Sequence, residues 1–278
     1  VPFGGVQVGP TNFNKGWDWS SSYHHTDSIV KGFCHINVSG TGMSDLGELT
    51  IMPATGKLMT GAGTQNNHMA GYSSLYYKDK EHASVGYYKV HLERYDIDAE
   101  LTATERVGLH KYRFPKSDQS RVIIDLGEGS ADRPTETYLK KINDTLFEGH
   151  RFSSGWARDQ REYFSLIISK PVDDFILYDR HKKFKGTERK GDYVKGFLEF
   201  STKTNEDIMV KMGISTVSSK NALENMMIEL PHWNFSKVKK DAEKKWEKEL
   251  SKIKIKTDDI KKKRVFYTAM YHTMIAPN

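Results

Sequence analysis

Hydrophobic and polar residues alternate along much of the chain between about residues 45 and 215. The clearest example is "YDIDAELTATERVGLHKYRF", in which Ile97, Ala99, Leu101 and Ala103 alternate with polar neighbours. A period of two predicts a β-strand, because successive side chains of a strand point to opposite faces. This region therefore predicts strands with one buried face and one solvated face.

Further period-two or short apolar segments follow one another without an intervening helical pattern. They are "LGELTIM", "VGYYKVHLERY", "RVIIDLG", "YFSLIIS", "DFILYDR", "YVKGFLEFS" and "DIMVKMGIS". Gly, Asp, Asn and Pro separate them, as is typical of turns. The pattern favours antiparallel sheets packed as a β-sandwich over βαβ units, and we assign residues 1–217 to this domain.

The hydrophobic period changes near residue 218. "SSKNALENMMIEL" has a short helical pattern, and "WNFSKVKKDAEKKWEKELSKIKI" has apolar residues three and four positions apart, as in an amphipathic helix. These apolar positions are Phe235, Val238, Ala242, Trp246, Leu250 and Ile253. We interpret residues 218–256 as a helical linker.

A further helix is predicted to begin at Thr257, whose hydroxyl can cap it and whose following aspartates suit a helix N-terminus. Its predicted buried stripe consists of Ile260, Tyr267, Met270 and Met274. This apolar surface has no obvious partner, so we expect residues 257–278 to pack on a domain that is not present in this sequence. The opening "VPFGGVQVGP", which lacks an initiator methionine, also leads us to expect a piece of a longer protein.

Composition excludes few functions. The 278 residues carry a net charge of +6, but the lysines concentrate between residues 237 and 263, on helix faces that we expect to be solvated. A nucleic-acid partner is therefore not expected. No apolar run approaches the roughly 20 residues that a membrane-spanning helix needs, and the lone Cys34 excludes an internal disulfide.

Residues 16–28, "GWDWSSSYHHTDS", concentrate side chains that could bind metal or catalyse reactions. In an extended segment, His24 and His25 point to opposite faces and cannot easily hold one ion. Neither they nor His35 belong to a His-x-x-x-His or Cys-x-x-Cys pattern. We therefore predict no metal ligand among them.

Nucleophilic catalysis has little support. Ser20, His24 and Asp27 supply the residue types of a catalytic triad, but closeness in sequence says little about triad geometry, and there is no G-x-S-x-G motif. Cys34 beside His35 is better explained as a packed core cysteine.

"SGTGMSD", residues 39–45, looks like a phosphate-binding loop. A predicted strand follows it instead of the helix that such loops require. A tight turn that lets a ligand or a neighbouring domain approach the backbone is the better interpretation.

A carbohydrate surface is the remaining interpretation of residues 16–28. Sugar rings combine an apolar C–H patch with hydroxyl groups, so their sites pair an aromatic side chain with short polar groups. Trp17, Asp18, Trp19 and Tyr23 supply this chemistry. In an extended segment the two tryptophans would share a face with Asp18 opposite, and we expect one of them to fill the core of the sandwich instead.

Several long strings resemble the amino-terminal part of glycoside hydrolase family 92, in the family's order and over essentially the whole chain. They are "PFGGVQVGP", "GWDWSSSYHHTDSIVKGFCHINVSGTGMSDLGELTIMP", "GYYKVHL", "AELTATERVGLHKYRF" and "RVFYTAMYHTMIAPN". The resemblance implies a supersandwich-like β-sandwich, a helical linker and an (α/α)6 barrel, of which the last string would form the opening helix.

The resemblance also implies the activity of a calcium-dependent, inverting exo-α-mannosidase. In this family a glutamic acid serves as general acid, and an aspartate assists the attacking water. These carboxylates and the calcium (Ca2+) ligands come chiefly from the barrel, so we expect them beyond Asn278. The chain would then contain no catalytic residue and no metal ligand, and would be inactive alone.

In the family, the active site forms where the sandwich meets the barrel. The resemblance therefore implies that the chain contributes part of the wall of a sugar subsite and the adjoining domain interface. The expected substrate-binding residues are Trp17, Asp18, Trp19, Tyr23, His35, Ser39, Gly40 and Thr41.

The implied partners are mannose-containing glycans, such as N-glycans or mannans, and the chain's own barrel. The implied location is the bacterial periplasm or the cell exterior. Two alternatives remain open: a non-catalytic carbohydrate-binding β-sandwich, and a purely structural interaction module.

Overall fold

A computed structural model describes residues 1–38, 42 and 45–275 of the chain. In these residues the strands are β1 (Gly9–Thr11), β2 (Ile29–Val30), β3 (Gly32–Cys34), β4 (Ile36–Asn37), β5 (Leu46–Glu48), β6 (Thr50–Thr55), β7 (Ser74–Leu75), β8 (Glu81–Ser84), β9 (Tyr87–Leu92), β10 (Ile97–Ala103), β11 (Val107–Phe114), β12 (Ser117–Asp125), β13 (Arg133–Lys141), β14 (Leu146–Ser154), β15 (Gln160–Ile168), β16 (Asp174–Asp179), β17 (Lys182–Phe184), β18 (Glu188–Gly191), β19 (Val194–Thr202) and β20 (Glu206–Ser215). The helices are α1 (Ser219–Glu229), α2 (Phe235–Leu250) and α3 (Ile260–His272).

Most strands of the described chain belong to two antiparallel sheets. One has seven strands in the order β1-β3-β6-β12-β19-β16-β17, and the other has nine in the order β18-β13-β14-β15-β20-β11-β10-β9-β8. Apolar side chains from both sheets, such as Val122, Phe197 and Leu101, form one buried cluster. The predicted antiparallel β-sandwich is confirmed.

Two interior strands of the nine-stranded sheet, β13 and β14, do not correspond to any strand predicted from the sequence. The inward positions of β14 hold Phe147, Gly149, Arg151 and Ser153, of which only the first is a large apolar residue. A glycine, an arginine and a serine on the buried face remove the hydrophobic alternation by which strands are recognised.

The single strand predicted for "LGELTIM" is divided into β5 and β6. Leu49, between them, has a φ of 53°, and Leu46 and Gly47 also have positive φ values. Because side chains other than glycine rarely adopt this region, the irregularity depends on tertiary contacts. Here Leu49 is completely buried in the core.

Helices α1 and α2 cover the outer face of the nine-stranded sheet. Val107 and Leu109 from this sheet form a second apolar cluster with Met226 of α1 and with Phe235 and Val238 of α2. The predicted apolar stripe of α2 is confirmed at its four buried residues, Phe235, Val238, Ala242 and Trp246. Ile253 lies beyond the end of α2 and is exposed, so the prediction that it belongs to the buried stripe is wrong.

Helix α3 differs from its prediction in its cap and in its burial. Asp259 accepts hydrogen bonds from the backbone N–H groups of Lys261 and Lys262 and so replaces Thr257 as the cap. No residue of α3, which the structure describes in full, is buried, and Ile260 is 73% exposed. The predicted stripe is therefore not formed within this chain, and only Met274, after the helix, is buried.

Tyr271 attaches α3 to α2, because its ring lies 4.6 Å from that of Trp246. A backbone bond from Phe3 N–H to the carbonyl oxygen of Met274 joins the end of the described chain to its beginning. Among the described residues, we find no helix with the length and apolar character that crossing a membrane requires.

The contact between α1 and the sheet depends on Gly213 of β20. A Cβ atom there would lie 2.3 Å from the carbonyl oxygen of Ala222 in α1. We expect Gly213→Ala to lower the free energy of unfolding by about 2 kcal/mol, in the range typical of overpacking. Chemical denaturation measures this value. Gly61→Ala is the control, because a Cβ there meets nothing within 4 Å, and an equal loss in both variants would contradict the argument.

Candidate functional site

Four loop segments meet at one end of the sandwich, which we call the loop end. The first segment is residues 12–28, and the second consists of the described residues 36–38, 42 and 45–48. The third and fourth segments are residues 126–132 and 154–160. Ser130 joins three of the segments: its backbone N–H donates to the carbonyl oxygen of Leu46 at 2.6 Å, its Oγ lies 2.5 Å from Ser22 Oγ, and its carbonyl oxygen accepts from Asn14 Nδ2 at 3.2 Å.

Trp17, Asp18 and Trp19 form one turn of 3₁₀ helix and not the extended segment that was expected. With three residues per turn, their side chains point in three directions. The prediction that Trp17 and Trp19 share a face is therefore wrong. Trp17 is 70% exposed, Asp18 is also exposed, and a side chain at Gly42 would lie 3.8 Å from the Trp17 ring.

Trp19 is half-buried and stabilises the loop. Its Nε1 donates to Asp27 Oδ2 at 3.0 Å, its ring stacks on His24 at 4.0 Å, and the Lys15 ammonium lies 5.3 Å from the ring centre. Burial by itself would raise the pKa of Asp27, but hydrogen bonds from Lys15 and Trp19 lower it below its ordinary value. Neither Trp17 nor Trp19 fills the core, so that expectation is wrong.

Tyr23 has different surroundings from Trp17. Its hydroxyl donates to Glu81 at 3.1 Å and accepts from Lys78 Nζ at 3.1 Å, and burial raises its pKa. It also lines a cavity of about 520 Å³ between the N-terminal segment, the β8–β10 edge of the nine-stranded sheet and the last two helices, where Trp246 and Tyr271 are further lining residues. Tyr23 therefore lines the cavity beside α2 and α3.

His35 has no exposed surface. Its Nδ1 lies 2.7 Å from the carbonyl oxygen of Leu49, and its Nε2 lies 3.0 Å from Nε2 of His110. His110 Nδ1 in turn lies 2.8 Å from the hydroxyl of Tyr112. The structure thus places His35 inside the sandwich and not on a surface wall, because both of its ring nitrogens have protein partners.

The carbonyl group of Leu49 fixes the direction of this buried chain of hydrogen bonds. A carbonyl oxygen only accepts, so His35 Nδ1 carries a proton and its Nε2 accepts from His110. His110 Nδ1 then accepts the proton of Tyr112. Burial lowers the pKa of His35 to about 4 and places that of His110 well below its usual value, so both rings are neutral at pH 7.

The other expected residues give mixed outcomes. Cys34 is a buried core cysteine, as predicted: its Sγ contacts Asn37 Oδ1 at 3.0 Å, and burial raises its pKa to about 11. His24 Nδ1 lies 2.9 Å from the Thr26 hydroxyl, and His25 is exposed. Ser39, Gly40 and Thr41 lie outside the described residues.

A buried ion cluster that the sequence does not predict lies beneath the loop end. Arg151 on β14 has no exposed surface, and its Nη1 pairs with Glu48 Oε1 at 2.7 Å and with Asp132. Its Nε donates to the carbonyl oxygen of Leu126 at 2.9 Å. Burial raises the pKa of Glu48, and Arg151 opposes this effect. No sequence signal marks this cluster, because β14 lacks the hydrophobic alternation by which an inward position could be recognised.

Trp156 is the second exposed tryptophan of the loop end, with 75% of its surface accessible. Its backbone N–H donates to Asp45 Oδ2 at 3.0 Å, and Gln160 Nε2 donates to the same oxygen at 2.9 Å. Its sequence, "SSGWARDQ", is polar and glycine-containing like that around Trp17. The same signal could therefore have identified it.

The described residues do not by themselves fit a calcium site. Ca2+ takes six to eight oxygen ligands, with several carboxylates among them. In the described part of the chain there is no group of three or more His, Cys, Asp or Glu side chains that could hold a metal ion. The expectation that calcium ligands lie beyond Asn278 stays a prediction.

The architecture defines a class of proteins in which an antiparallel β-sandwich precedes a helical domain. Two family models match consecutive parts of the chain: the glycosyl hydrolase family 92 N-terminal domain over residues 1–215, and the catalytic domain of the same family over residues 221–278. The chain belongs to glycosyl hydrolase family 92.

Solved structures of this family have the same fold. The family GH92 α-mannosidase BT3965 from Bacteroides thetaiotaomicron is 33% identical and superposes with a TM-score of 0.95 over 100% of this chain and 38% of its own. The inverting mannosidase BT2199 from the same organism is 23% identical, with a TM-score of 0.81 over 100% of this chain and 36% of its own.

An uncharacterized secreted glycosidase from Arthroderma benhamiae is 25% identical over 90% of this chain and 36% of its own length. The chain therefore spans little more than a third of the relatives that it matches.

The buried histidines make stability depend on pH. His35 has a lowered pKa in the folded state, so below its usual value of 6.5 the unfolded chain binds a proton that the folded chain does not. Its contribution to stability is complete above pH 6.5 and is lost as the pH falls toward 4. Between pH 7.5 and 5 we expect this residue to account for a loss of about 2 kcal/mol.

Denaturant unfolding at a series of pH values measures this loss. His35→Gln should give a shallower dependence on pH, whatever its effect on stability at pH 7.5. His25→Gln, at an exposed position, should keep the slope of the unmodified chain. Parallel curves for all three proteins would contradict the buried neutral histidine.

Proposed function

We propose that this chain is the amino-terminal part of an exo-acting, inverting α-mannosidase that hydrolyses terminal α-mannosides of N-glycans or mannans. The observation that carries the proposal is its 33% identity and TM-score of 0.95 to the α-mannosidase BT3965 over its whole length. The match of residues 221–278 to the family's catalytic domain supports an enzyme over a free-standing binding module.

The proposed contribution of the chain is a wall of the sugar subsite at the loop end. The exposed ring of Trp17 offers an apolar face for the C–H groups of a mannose, and the adjoining Asp18 carboxylate can accept from its hydroxyls. Trp19 has its ring against His24, so its role in this proposal is to hold the turn that presents Trp17.

The proposed catalytic acid and base belong to the helical domain after residue 278. Inverting glycosidases keep their two carboxyl groups about 6.5–9.5 Å apart, so that a water molecule fits between the base and the sugar. The buried pair in this chain, Glu48 and Asp132, has fully buried side chains that both contact Arg151. Neither a sugar nor an attacking water can reach it, so it has a structural role in this proposal.

The same proposal assigns residues 1–217 to the sandwich, 218–256 to a linker and 257–278 to the start of an (α/α)6 domain. It places the calcium ligands in the remainder of that domain and the protein in the periplasm or outside the cell. The secreted glycosidase of Arthroderma benhamiae supports export, at 25% identity.

The activity can be tested by assaying the chain alone and joined to its helical domain, on an aryl α-mannoside with calcium. We expect turnover only from the joined protein, with β-mannose as the first product detected by NMR, because inversion converts the α-anomer. Turnover by the 278-residue chain alone would overturn the placement of the catalytic residues.

Trp17 should matter for activity and not for folding. Since its side chain is 70% exposed, Trp17→Ala should change the free energy of unfolding by less than about 0.5 kcal/mol. In the joined protein we expect kcat/KM on the aryl mannoside to fall about tenfold, the upper range for one lost aromatic contact. Tyr77→Ala, at another exposed aromatic residue, is the control, and equal activities of the two variants would remove Trp17 from the site.

A further inference from the structure

We propose that Trp156 is a second sugar-stacking residue, which contacts the hexose units that follow the mannose at Trp17. The inference rests on the proposed function and adds a preference for longer glycans. All five tryptophans of the chain lie in described residues, and Trp17 and Trp156 are the two with more than half of their surface exposed. Both belong to the loop end.

Gly42 and Asp45 each lie against one of the two tryptophan loops. Gly42 lies beside the ring of Trp17, and Asp45 accepts the backbone N–H of Trp156 at 3.0 Å. Three peptide units separate Gly42 from Asp45, so their Cα atoms are at most about 11 Å apart. The two tryptophan loops therefore contact nearby positions of the chain, and the proposal places their exposed indoles against neighbouring units of one extended ligand.

A buried polar network fixes the Trp156 loop. Ser153 Oγ lies 2.8 Å from Glu48 Oε1 and 2.9 Å from Gln160 Oε1. Gln160 then donates to Asp45, which holds the backbone of Trp156. The network therefore runs from the ion pair of Glu48 and Arg151 to the base of an exposed indole.

Burying the charged groups of this network costs free energy, which indicates that the network has a function other than packing. Buried ions lose their hydration and add little net stability, and the exposed Trp156 side chain adds almost no core. Supporting hydrogen bonds of this kind hold a ligand-contacting residue in a fixed geometry. The network leaves no room for a side chain at Gly155, because a Cβ there would lie 2.1 Å from Asp45 Oδ1.

The surroundings of Trp156 suit a carbohydrate. An indole face binds the C–H patch of a hexose, while nearby polar groups bind its hydroxyls. Asp159 and Arg161, three and five residues further on, are exposed and form an ion pair at 3.0 Å. They supply hydrogen-bond acceptors and donors close in sequence to Trp156.

The experiment compares substrates of different length in the protein joined to its helical domain. Trp156→Ala should lower kcat/KM on a linear mannotriose about three- to tenfold, as expected for one lost aromatic contact. It should leave the aryl α-mannoside, which lacks the further hexoses, within a factor of two. Trp156→Phe should retain most of the mannotriose activity, because it keeps an aromatic face at this position.

Two results would overturn the inference: equal mannotriose activity in Trp156→Ala and the unmodified protein, or an equal loss on both substrates. The second would mean that Trp156 packs against the helical domain, and a lower midpoint of thermal unfolding would accompany it. Failure of the unmodified protein to cleave either substrate would instead reject the proposed function. The two failures are therefore distinguishable.

Discussion

The buried guanidinium of Arg151 is the interaction on which the arrangement of the loop end depends. It connects β14 with Glu48 of β5, with Asp132 and with the carbonyl oxygen following β12, so strands and loops distant in sequence share one cationic group. Removing one partner from such a cluster typically costs about 3–5 kcal/mol, because an uncompensated buried charge is left behind. The geometry of the loops above it is correspondingly constrained.

In the rest of the sandwich, the residues that form the core are different from the exposed residues of the loop end. Apolar side chains from both sheets fill the interior, and α1 and α2 cover the outer face of the nine-stranded sheet. Within this core, His35, His110 and Tyr112 satisfy one another's polar groups as far as the Leu49 carbonyl. Buried polar groups are tolerated where each has a partner. The loop end can therefore present exposed aromatic residues without weakening the core.

Membership in glycosyl hydrolase family 92 gives these surfaces a context. The chain covers the family's N-terminal domain and the first residues matched to its catalytic domain. Its outermost tryptophans lie on loops, whereas its acidic pair is sealed beneath them. In our proposal, this domain shapes and holds a glycan while another domain supplies the chemistry. This division of roles is the one that we propose.

The sequence by itself determined the β-sandwich, the change to helices near residue 218 and the buried face of α2, because these depend on the spacing of apolar residues. It also determined the family, through long strings of unusual residues. Only the tertiary structure decided that Trp17–Trp19 forms a helical turn, that His35 lies in the core and that Arg151 occupies an inward strand position. These outcomes depend on partners distant in sequence, such as His110 for His35 and Glu48 for Arg151. A local sequence pattern cannot show that such residues are close in space.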